Sequence, residues 1–158
     1  MVAPEFPFGF IRYIHLRLAA AHVKGRDSLF HHPDNPKRPA VDLDFLPDTI
    51  RIAELAARHK AKDIKAYDLR GLTVMADVFI ICSASSEPQV KAIYTSIREG
   101  MKEIGVHPRH AEGTPAVGWL LIDFGNIVVH VFREKARQFY DLDGLWGDAP
   151  PIDLGLEE

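Results

Sequence analysis

The chain has 158 residues, 47% of them hydrophobic, a formal net charge of -3 and one cysteine. That is enough apolar material for one substantial core without covalent staples, and the acidic balance excludes an unaided grip on nucleic-acid phosphates, which needs clustered Lys and Arg. The lone Cys82 excludes an intramolecular disulfide and suits a reducing compartment.

Composition divides the chain near Phe45. Residues 1–45 read as a flexible appendage, carrying Phe6-Pro7-Phe8-Gly9-Phe10, a basic and apolar stretch to Ala21, and a proline-rich run from His31 to Pro39. Arg12 and Arg17 interrupt the apolar stretch, so it falls short of the roughly 20 apolar residues of a membrane-spanning helix. It also lacks the pattern of a secretory leader. His31-His32 has no Cys or His at a matching spacing and is weak evidence for metal.

Residues 46–148 read as the folded domain. Asp48 or Thr49 can cap a helix with Ile52, Leu55, Ala56 and His59 on one stripe. Ile64–Leu69 alternates as a strand, and Gly71 closes it. Val78–Cys82 is uniformly apolar, as a buried central strand is, and places Cys82 as a structural thiol. Ser85-Ser86-Glu87-Pro88 opens a second helix with Val90, Ile93, Tyr94, Ile97, Met101 and Ile104 on one face. Gly105 stops it, and an extended piece from Pro108 to Glu112 follows.

Trp119–Phe132 reads as a β-hairpin turning at Gly125-Asn126. With that turn, Leu120, Ile122, Phe124, Ile127, Val129 and Val131 share one apolar face. The other face carries Trp119, Leu121, Asp123, Val128, His130 and Phe132. Its mixture of large apolar, acidic and imidazole groups fits either a docking surface or a second packed layer. Glu134–Trp146 reads as a short helix and turn, and residues 149–158 as a C-terminal tail. The order α-β-β-α-β-β-β-α implies one small α/β (α+β) domain, a mixed sheet with helices packed on one face.

Several blocks then resemble one family in the same order: Asp77-x-Phe79-Ile80-Ile81, Glu112-Gly113, Trp119–Gly125, Val128–Phe132, and Arg137-x-Phe139-Tyr140-Asp141-Leu142-x-x-Leu145-Trp146. From Pro47 to Asp148 the chain resembles the ribosomal silencing factor (RsfS or Iojap) family. The resemblance implies a nucleotidyltransferase-like fold without its active site. It implies a cytoplasmic, noncatalytic repressor of translation that binds the large ribosomal subunit through its protein fourteen and sterically blocks the small subunit. It also implies docking by Trp119; Leu121, Glu112 and Asp123, which neighbour it in sequence or on that hairpin face, and Tyr140 of the C-terminal motif are the further candidate partner-binding residues. No cofactor, catalytic residue, metal or membrane is expected, and little direct nucleic-acid contact. A homodimer of the free chain is an alternative. A nucleotidyltransferase-like enzyme is another, but Ser83-Ala84-Ser85-Ser86 lacks the glycine of a phosphate cradle, and Asp141-x-Asp143 falls in the terminal helix and turn. Arg137, Tyr140 and Trp146 match the C-terminal motif at a spacing that more often closes a core than meets a partner, and His130 is expected to be a hydrogen-bonded sheet residue.

Overall fold

The computed structural model describes residues 45–73 and 76–157. The appendage and its His31-His32 pair lie outside the described residues.

Helix α1 spans Leu46–Ala57. It starts earlier than the cap signal suggests because Pro47 fits the first turn, where no amide partner is needed. Thr49 does not cap forward; its hydroxyl donates back to the Phe45 carbonyl at 2.8 Å. The helix ends before His59, which is exposed rather than part of the apolar stripe. Strand β1 covers Lys62–Asp68 and strand β2 Val78–Ala84. Helix α2, Glu87–Lys102, starts where the serines place it, with Ser86 Oγ accepting from the Gln89 amide. Ile104 falls beyond its last turn and is exposed.

Strands β3 (His110–Thr114), β4 (Trp119–Asp123) and β5 (Ile127–Arg133) follow, then two short helices, α3 (Glu134–Tyr140) and α4 (Leu142–Leu145). The five strands form one mixed sheet in the order β1-β2-β5-β4-β3. Only β2 and β5 run parallel; β5 is the middle strand, and β2 lies between it and β1. The hairpin register is the one set by the Gly125-Asn126 turn: Leu120 faces Val131, Ile122 faces Val129 and Trp119 faces Phe132. Gly125 turns with φ +97°, which a side chain would resist.

Alternation along the strands sends side chains into two separate layers. Helices α1 and α2 cover one face, where Ile52, Ala56, Ile93, Ile97 and Met101 meet Val78, Ile80, Cys82, Ile122, Val129 and Val131. On the opposite face, Phe79, Ile81, Trp119, Leu121, Val128 and Phe132 meet Tyr140, Leu142, Trp146 and Ala149. The two long helices therefore pack on one side, and the short C-terminal helices add a cover on the other. Residues 149–157 are not a trailing tail, because Ala149 belongs to the second layer and Leu154 to the first.

Candidate docking surface

The mixed face of the hairpin is a packed layer, not open surface, and this corrects the placement of the expected docking residues. Trp119 is 0% exposed, and Leu121 is equally buried. The indole lies 4.8 Å from the Phe132 ring and 4.7 Å from Tyr140, between centroids, so α3 stands where a partner was expected. Its Nε1–H donates to His130 Nδ1 at 3.1 Å. This bond leaves the hydrogen of neutral His130 on Nε2, which has no partner among the described residues. Burial pushes the His130 pKa down to about 3, so the ring is neutral.

The acidic residues of the expected site serve local structure. Asp123 Oδ1 accepts from the Gly125 amide at 2.7 Å and closes the hairpin turn. Glu112 is buried and lies 2.6 Å from His110 Nε2. Asp123 is at the opposite end of β4 from Trp119, so these residues do not converge on one surface.

At the C-terminal cover, the Arg137 guanidinium bonds Asp143 at 2.9 and 3.1 Å, the Asp63 carbonyl at 2.7 Å and Ser83 Oγ at 2.8 Å. Tyr67 donates to the same Asp143 at 2.8 Å. Burial works to raise the Asp143 pKa, but hydrogen bonds and charge from Arg137 outweigh it and hold the carboxyl below its ordinary value. The Asp141-x-Asp143 pair is thus divided between two structural tasks, since Asp141 Oδ1 accepts from the Gly144 amide and caps α4. Trp146 packs edge-on to Phe79 at 5.7 Å. Among the described residues, no three His, Cys, Asp or Glu side chains are grouped to hold a metal. Burial raises the Cys82 thiol to about 12, which removes it as a nucleophile.

Exposed apolar surface instead lies beside this cover. Phe139 is 50% exposed and Val117 36%, and both line an open groove of about 560 Å³ with Gly118, Arg133, Lys135 and Tyr140. The turn before β4 forms one wall, held to the end of β5 by Arg133 N–H donating to the Gly118 carbonyl at 2.8 Å. Helix α3 forms the other wall. Consecutive helical residues point about 100° apart, so burying Tyr140 turns Phe139 outward. Of the expected residues only Tyr140 reaches the groove, with Trp119 packed behind it. Phe139 lies within the Arg137–Trp146 motif, and its position next to a core tyrosine is the signal in the sequence.

The sequence profile described as ribosomal silencing factor during starvation (RsfS) matches residues 44–158, which include the hairpin, its cover and the groove. The chain belongs to the ribosomal silencing factor family. It is 42% identical to the ribosomal silencing factor RsfS of Bacillus subtilis over 106 residues, 66% of this chain and 90% of that one. It is also 33% identical over 141 residues to the chloroplastic protein Iojap of Zea mays, covering 85% of this chain and 60% of the relative. A crystal structure of a Chromobacterium violaceum protein matches with a TM-score of 0.62 at 33% identity, over 68% of this chain and 88% of that chain. The family consists of regulators of translation rather than enzymes, and membership gives this chain a ribosome-associated silencing role. Among the described residues no helix is long and apolar enough to cross a membrane.

Proposed function

We propose that this chain acts in the cytoplasm by docking on the large ribosomal subunit through ribosomal protein fourteen and sterically blocking the small subunit, which represses translation. The observation that carries this reading is the family match across the whole described domain. The geometry adds a surface suited to protein rather than nucleic acid: a half-exposed phenylalanine and a valine on a groove floored by Tyr140, in a chain of net charge -3. Aromatic anchors in such grooves carry much of the energy of an interface. Phe139, Val117 and Tyr140 are the proposed contacts, and Trp119 and Leu121 support them from beneath.

Cosedimentation with purified subunits tests both parts. The wild-type chain is expected to pellet with large subunits and not with small ones, and to reduce subunit joining on sucrose gradients. Phe139→Ala is expected to weaken pelleting about 30-fold, the equivalent of ~2 kcal/mol for a central anchor, with an unchanged fold. A wild-type chain that stays in the supernatant would remove the docking reading. Equal pelleting of the variant would remove Phe139 from the surface.

A further inference from the structure

Strand β1 is an outer strand, bonded to β2 on one side. Along its other side runs the end of the chain. The Asp68 amide donates to the Pro150 carbonyl at 2.9 Å, and the Ile152 amide donates to the Ala66 carbonyl at 2.9 Å. Between them Tyr67 and Pro151 stand opposite each other as an antiparallel bridge. Side chains fasten this strap to both layers: Ala149 in the layer under α3 and α4, Leu154 in the layer under α1 and α2, with Ile152 and Leu156 against the latter.

The strap adds a row of backbone to the sheet and would become a new edge, but its sequence prevents that. Residues 150 and 152 bond inward, so the backbone of residue 151 faces away from β1. That residue is proline, exposed and with no N–H to offer a further strand. The other half of β1 is closed by different means. Asp63 takes a left-handed φ of +52°, and the register with β2 slips between Lys62 and Lys65. The Asp63 carbonyl is occupied by Arg137, and Lys62, Asp63 and Lys65 are exposed charges. A bulge and charges on an edge both oppose strand addition.

We propose that residues 150–152, bridged to β1, together with the Asp63 bulge close the β1 edge against strand pairing with a second copy of this chain. Pro151 is the decisive residue, because it stands at the middle of the bonded segment, where the outward-facing backbone has no N–H to offer. The device guards a sheet whose interior strands β2, β5 and β4 are apolar runs, the kind that pair indiscriminately when an edge is open.

Pro151→Val in the full chain restores an outward N–H at an exposed position without touching either core layer. Light scattering over a concentration series is expected to show the variant's apparent mass rising up to about twofold above that of the wild type at the same concentration, as an edge-to-edge dimer requires. Hydrogen exchange is expected to show concentration-dependent protection at residues 149–153 in the variant only. In the wild type the Asp68 and Ile152 amides are expected to exchange slowly. Matching mass curves for variant and wild type would overturn the proposal, as would wild-type Asp68 and Ile152 amides exchanging at the rate of an open chain.

Discussion

Trp119 contributes its indole to the interior, so its removal registers first as lost stability. Trp119→Ala deletes a fully buried ring packed on Phe132 and Tyr140 and should cost about 3–5 kcal/mol in urea unfolding. A loss below ~1 kcal/mol would contradict the packing described above. Its neighbour His130 makes stability depend on pH. The ring has an ordinary value of 6.5 when unfolded and about 3 when folded, so its contribution is complete above 6.5 and is lost as pH falls through the interval towards 3. Protonation would also put a hydrogen on Nδ1, where the Trp119 N–H already points. Denaturation at pH 6.5 and pH 5 should show up to about 1.4 kcal/mol lost per pH unit, and His130→Gln should flatten that slope whatever its absolute stability. Gly113 is constrained by its backbone, with φ +88° and a position where any Cβ would overlap the Trp119 carbonyl oxygen across the β3–β4 pair. Gly113→Ala should therefore destabilise by more than about 2 kcal/mol, measured by thermal or urea melting.

At the scale of elements, the short helices α3 and α4 are too brief to be stable alone and depend on what they cover. Their hold on the sheet combines the Tyr140, Leu142 and Trp146 side chains with the Arg137–Asp143 pair, which also ties in Tyr67, Ser83 and Asp63. Removing one member of a mostly buried pair leaves the other without its counter-charge. Arg137→Met should cost about 3 kcal/mol, less whatever solvent recovers at the partly exposed Asp143, and a double-mutant cycle with Asp143→Asn should show strong coupling. Additive losses would show that the pair does not act as a clasp. The long elements were legible because each has a single dominant signal: the serine caps and stripe of α2, the apolar run of β2, the Gly125-Asn126 turn of the hairpin. The cover was harder to read. Leu142, Trp146 and Ala149 keep helical spacing, but the left-handed Asp141 separates them from Tyr140 and the helix stops at Leu145, so the spacing does not announce one buried face shared by two short helices and a turn.

For the whole molecule, the sheet separates two cores, and this decides which residues can meet a partner. Trp119 and Leu121 are buried, and the exposed apolar residues are Phe139 and Val117 at the margin of the second core, the surface proposed for docking, while Tyr140 belongs to both floor and groove. The pelleting experiment with Phe139→Ala belongs at this scale, because it asks what the assembled surface does and not what one ring contributes to stability. By itself the sequence determined the α+β class, the hairpin register and the family, since alternation, turn chemistry and ordered motifs are local or simply sequential properties. It also determined that the second hairpin face is greasy, because that is a fact of composition. Only the tertiary structure decided what that face touches. Burial depends on residues distant in the chain, and here α3, α4 and residues 149–156 return to the sheet to cover Trp119 and bond the edge of β1.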